Sequence, residues 1–168
     1  PHPSTTTQKL SSPLPPAPWL RRLLLLLGMQ GDAARSRPLA GGSDLIVQMR
    51  SGRVQPGAVV DLKRVPELVG IARDGLGWRI GAATTWSEII EAKLPPLFDG
   101  LKLVAREVGG VQIQNTGSVA GNLCNASPAA DSVPALLALE ASVELASLKG
   151  MRQLPLHEFI LGPRKTAL

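Results

Sequence analysis

Gln112–Leu139 reads QIQNTGSVAGNLCNASPAADSVPALLAL, and the rest of the chain is read from it. Small residues and amide side chains crowd Asn115–Asn122 into what reads as a tight loop. A short apolar helix, Val133–Glu140, is expected after it. Gly117 and Gly121 permit tight bends, while Ser118 and Asn122 offer hydrogen bonds without charge. That order suits a polar, phosphate-bearing cofactor at a helix entrance, where unpaired N–H groups favour negative charge. Ordinary Asx turns need the same residue types. Asp131, beside Ser132, either caps the following helix or accepts hydrogen bonds from ligand hydroxyls, and the two readings stand level.

Upstream, a second small-residue loop has the same character. Arg37–Ala40 reads as a strand, Gly41-Gly42 as a tight turn, and Ser43-Asp44 as the cap of a helix starting near Leu45. Glycines there let backbone N–H groups turn towards an anion, although a double glycine between strand and helix also serves as a plain turn. Ala58–Leu62 reads as a strand. Val69–Arg73 and Trp78–Ala82 form a hairpin around Asp74–Gly77. Thr85-Trp86-Ser87-Glu88 has the spacing of a capping box before a helix over Ile89–Lys93. Leu97, Leu101, Val104, Ala105 and Val108 recur at helical spacing. Ser142–Ala146 and Met151–Leu156 flank a turn at Lys149-Gly150. The sum is a mixed α+β chain without an internal repeat.

The formal net charge is +5. Residues 1–37 hold five basic groups against Asp32 alone, so the other 131 residues carry 13 basic and 12 acidic groups. The charge excess therefore sits in the first 37 residues and does not point to nucleic acid. With no Tyr and only 3% aromatic residues, a base-stacking platform is not expected either. Residues 1–18, rich in Pro, Ser and Thr, read as a disordered or misassigned leader. Trp19–Met29 reads as a helix. Its run Leu23–Leu27 is far short of the ~20 residues of a membrane span. Arg21-Arg22 before that run is not followed by a clean cleavage pattern, so an amphipathic or buried helix is preferred to an export signal. The lone Cys124 excludes an internal disulfide and fits a reducing, cytoplasmic setting. Its apolar, small-residue context suggests a buried, inert thiol. His157 has no Asp or Ser partner in sequence, so neither a hydrolase triad nor a histidine metal site is indicated. Arg164 and Lys165 could approach a phosphate, with a solvated loop as the default reading for the pair.

Together, Ala40–Asp44, Val59–Val69 (VVDLKRVPELV), Arg79–Thr84 (RIGAAT), Gln112–Leu139 and Leu154–Leu168 (LPLHEFILGPRKTAL) resemble a known family. They look like the FAD-binding medium subunit of the molybdenum hydroxylases, the xanthine dehydrogenase and carbon monoxide dehydrogenase group. The resemblance covers roughly 37–168. It implies the FAD-binding fold shared with p-cresol methylhydroxylase (PCMH-type), in which two α+β subdomains hold FAD between them. Subdomain one is expected over about 19–94 and subdomain two over about 95–168. It places the cofactor on Ala40, Gly41, Gly42, Ser43 and Asp44, on Ser118, Val119, Ala120, Gly121 and Asn122, and on Asp131. The family commonly has two glycines before the Asn of the second loop, where this chain has Ala120-Gly121.

The resemblance also implies an electron relay with no catalytic acid or base in this chain. Electrons would arrive from an iron–sulfur small subunit, after oxidation of substrate on a molybdopterin large subunit, and leave to NAD, oxygen or another acceptor. The expected chain stops at the edge of the flavin domain, short of the family's C-terminal domain. The competing readings are a stand-alone flavin oxidoreductase of the same fold and a non-catalytic fragment.

Overall fold

The structure, a computed structural model, describes residues 36–75, 77–147 and 150–168. The helix expected over Trp19–Met29 and the leader, residues 1–18, lie outside these residues, as does part of the turn at Lys149-Gly150.

Strand β1 (Ser36–Leu39) pairs in parallel with β2 (Ala58–Asp61), Ser36 opposite Ala58 and Leu39 opposite Asp61. A parallel pair needs a crossover, and helix α1 (Leu45–Arg50) supplies it. This helix buries none of its residues, and Ile46, Val47 and Met49 are exposed. Two 3₁₀ turns, Leu62–Arg64 and Pro66–Leu68, lead to the antiparallel pair β3 (Ile71–Asp74) and β4 (Gly77–Ile80).

Helix α2 (Trp86–Glu91) starts with a full capping box. The Glu88 N–H donates to Thr85 Oγ1 at 3.2 Å, and the Thr85 N–H donates to Glu88 Oε2 at 2.7 Å. The box lies where its spacing predicts, but the helix begins at Trp86 rather than Ile89. A 3₁₀ turn, Pro96–Phe98, then precedes α3 (Asp99–Glu107). Leu97 falls in this turn and is 74% exposed, so it does not join the buried stripe of α3. Pro95-Pro96 explains the shift, because proline restricts the residue before it and lacks the N–H that helix continuation needs.

The largest departure from expectation is at 111–125. The supposed loop is two short helices, α4 (Val111–Thr116) and α5 (Val119–Asn125), with only Gly117-Ser118 between them. Helix α6 (Ser132–Ala138) follows. The hairpin β5 (Ser142–Ser147) and β6 (Gly150–Pro155) comes next, then the single turn α7 (Leu156–Phe159) and a small hairpin of β7 (Ile160–Gly162) and β8 (Lys165–Thr166). Each sheet among the described residues is a strand pair, and such pairs need helices against them to be stable.

The helices provide that support for the later pairs. Trp86 and Ile89 of α2, Leu101 and Ala105 of α3, Val119 and Leu123 of α5, Leu136 of α6, and Leu156 and Phe159 of α7 form one buried cluster. Trp78 of β4 meets Phe98 edge-on at 6.0 Å, tying the second strand pair to it. Val143, Leu145 and Leu154 bring the third pair to the same core. The architecture is α+β, as expected.

Candidate functional site

Gly41 lies directly against the corner between α4 and α5. A Cβ there would stand 2.2 Å from Thr116 O and 2.6 Å from Gly117 Cα. Only glycine allows the two backbones to come this close, so the contact joins two loops some seventy residues apart in the chain. Gly42 has a φ of +74°, in the left-handed region where glycine is least strained.

This turn leaves donors behind. Among the described residues, the backbone N–H groups of Gly41, Gly42, Ser43 and Asp44 reach no protein acceptor. Asp44 occupies the cap position of α1, but its side chain makes no capping bond, contrary to the expected Ser43-Asp44 cap. Its backbone already has helical angles, which turn its carboxylate away from the N–H groups a cap must reach.

The second loop is held from several sides. Val119 N–H donates to Thr84 O at 2.9 Å, and Trp86 N–H to Gly117 O at 3.3 Å. Ser118 is 3% exposed and caps α5, its Oγ accepting from Gly121 N–H at 3.1 Å. The N–H groups of Ser118 and Ala120 have no protein acceptor among the described residues. Asn122 Oδ1 accepts from the Ser132 hydroxyl at 2.6 Å, and Ser132 is fully buried. That bond fixes the Asn122 amide and leaves its N–H donors uncommitted.

Asp131 is exposed and makes no side-chain cap on α6. It lines a cavity of about 560 Å³ with Leu103, Val104, Arg106, Glu107 and Pro134. A different cavity, of about 450 Å³, opens beside the first loop and is lined by Ser43, Asp44, Val47, Gln48, Arg53 and Arg164. The structure thus joins the two small-residue loops, while Asp131 faces other neighbours.

Arg164 is the residue whose place the sequence did not reveal. It sits in the turn between β7 and β8, its N–H donating to Ala126 O at 2.8 Å and its guanidinium to Asn125 Oδ1. Its Gly-Pro-Arg-Lys context was the available signal. Cys124 is exposed, which corrects the expectation of a buried thiol: the apolar face of so short a helix is taken by Val119 and Leu123. The protein packed around it still raises its pKa by desolvation.

The donor set at the joined loops is neutral: backbone N–H groups, a hydroxyl and an amide. These groups suit the phosphates and hydroxyls of a dinucleotide and offer nothing for proton transfer at neutral pH. The residues present therefore fit FAD. Among the described residues, no helix is long and apolar enough to cross a membrane.

Comparison with known proteins agrees with this chemistry. Residues 22–168 match the family described as the FAD binding domain in molybdopterin dehydrogenase. The chain is 34% identical over 145 residues to a xanthine dehydrogenase FAD-binding subunit of Escherichia coli O157:H7, covering 84% of this chain and 49% of that protein. It is also 34% identical over 148 residues to the carbon monoxide dehydrogenase medium chain of Hydrogenophaga pseudoflava, covering 85% and 50%. Among solved structures, carbon monoxide dehydrogenase from that organism superimposes with a TM-score of 0.79 at 30% identity, over 89% of this chain and 52% of that one. Quinoline 2-oxidoreductase from Pseudomonas putida 86 does so with a TM-score of 0.78 at 26% identity, again over 89% and 52%. The chain spans about half the length of the curated relatives it matches.

Proposed function

The chain belongs to the family of FAD-binding domains of molybdopterin dehydrogenases, with the PCMH-type α+β fold and FAD as cofactor, and from that premise we propose that it serves as the FAD-binding electron-transfer part of a molybdenum hydroxylase. Its partners are an iron–sulfur subunit, which delivers electrons, and a molybdopterin subunit, on which substrate is oxidised. When bound, FAD supplies the redox chemistry, taking electrons from the clusters and releasing them to NAD, oxygen or another acceptor.

The work of the chain's own residues is binding and orientation. The free N–H groups of Gly42, Ser43 and Asp44 hold the phosphates, joined by those of Ser118 and Ala120 across the loop contact. Asn122, fixed by Ser132, offers amide donors to the ribityl or ring edge. Asp131, which lines a separate cavity, is left out of this donor set. The observation that carries the reading is the seating of Gly41 on Thr116 and Gly117, which makes one donor surface from two loops.

The test is a visible spectrum after incubation with FAD and desalting, with circular dichroism on the same sample. Retained flavin absorbance is expected, and reduced iron–sulfur partner should bleach it anaerobically. A well-folded chain that stays colourless would remove the cofactor reading. A yellow chain that the partner cannot reduce would remove only the relay.

A further inference from the structure

We infer that Arg164 is the residue by which this chain recognises the diphosphate of FAD and so distinguishes it from riboflavin; the inference rests on the FAD reading above. The backbone is the first reason. Arg164 has a φ of +58°, in the left-handed region that glycine or asparagine occupies with less strain. A long side chain kept at such a position points to a use for that side chain.

The anchoring is the second reason. Arg164 N–H holds Ala126 O, and the guanidinium donates to Asn125 Oδ1 at the end of α5, so the group is fixed to the helix that carries the second loop. A guanidinium has five N–H donors, and this bond uses Nη1 alone, leaving the rest of the fork uncommitted.

The third reason is charge. Arg164 lines the cavity beside the first loop, where Arg53 is the other cation and Asp44 the one carboxylate. Neither arginine has a carboxylate partner among the described residues. The cavity is thus net positive and adjoins Ser43 and Asp44, whose N–H groups are free. An Arg fork matches phosphate oxygens in pairs, which riboflavin cannot offer.

The experiment titrates the chain with FAD, riboflavin and ADP, following flavin fluorescence, with ADP as a competitor, and records melting curves. Arg164→Gly suits the observed φ but gives up the bond to Asn125, so its melting temperature should stay close to the parent's. Its FAD affinity should drop by roughly tenfold to a hundredfold, the range of a charge-assisted hydrogen bond. ADP competition should weaken alongside, while riboflavin affinity stays as in the parent. Arg164→Lys keeps the charge without the fork and should recover only part of the loss. Lys165→Gln removes the same charge one residue along and should leave FAD affinity within about twofold. Equal FAD affinity in Arg164→Gly and parent would overturn the inference while leaving the FAD reading intact, as would an equal loss in Lys165→Gln or a parallel loss for riboflavin. A folded parent that binds neither flavin would overturn both.

Discussion

A single methyl group at Gly41 meets backbone atoms that cannot step aside, Thr116 O at 2.2 Å and Gly117 Cα at 2.6 Å. Gly41→Ala should therefore destabilise the chain by about 1–3 kcal/mol, the cost of forcing an extra carbon into a packed contact. Chemical denaturation measures this, and an unchanged midpoint would mean that the loops part freely. At Cys124 the sign follows from desolvation. Burial of part of its surroundings disfavours the thiolate, so its pKa is raised and the thiolate fraction at pH 8 is smaller than in an unstructured peptide. Alkylation should be slower than for such a peptide, with its rise displaced to higher pH. A rate equal to the peptide's at every pH would contradict this. Glycine and small polar residues at these positions are visible in sequence. Their reason is not, since Gly41 is needed for a neighbour some seventy residues away, and the same Gly-Gly pair would serve any tight turn.

Helix α3 shows how one element separates similar residues. Leu101 is 1% exposed within the core, whereas Leu103 is 63% exposed. Leu101→Ala should cost about 2–5 kcal/mol, and Leu103→Ala, on the surface, should stay within about 0.5 kcal/mol. Thermal melts of the pair would decide, and similar losses at both sites would show that Leu103 is covered in solution. The capping box before α2 and the hairpin β3–β4 were legible because their signals are local: a side chain reaching its own backbone, and a turn between alternating residues. Helices α4 and α5 were not legible. Asn, Thr, Gly and Ser favour turns over helix, and what holds these helices is largely outside their local sequence. Ser87 donates to Asn115 Oδ1 at 2.5 Å, Gln114 to Arg106 O at 2.7 Å, and Val119 N–H to Thr84 O at 2.9 Å. Tertiary contacts overrode propensity there.

Across the whole molecule, strand pairs rather than one broad sheet are arranged around a helical core, and α1 buries nothing among the described residues. A ligand that binds the joined loops adds contacts that the unfolded chain lacks. FAD at a hundredfold excess over its Kd should raise unfolding stability by about 2.7 kcal/mol, read as an upward shift in melting temperature. Riboflavin at the same concentration should do less, because it lacks the phosphates that these donors suit. An equal shift from both would place the binding energy on the flavin ring. The sequence by itself determined the α+β class, the capping box, the order of the two small-residue loops and their resemblance to an FAD-binding family, because each is written in residue type and short-range spacing. Only the tertiary structure decided that Gly41 rests on Gly117, that Asn122 is fixed by Ser132, that Asp131 lines a separate cavity and that Arg164 shares a cavity with Ser43 and Asp44 of the first loop. Those are juxtapositions of residues in different elements, and they exist only once a shared core has brought the backbones together.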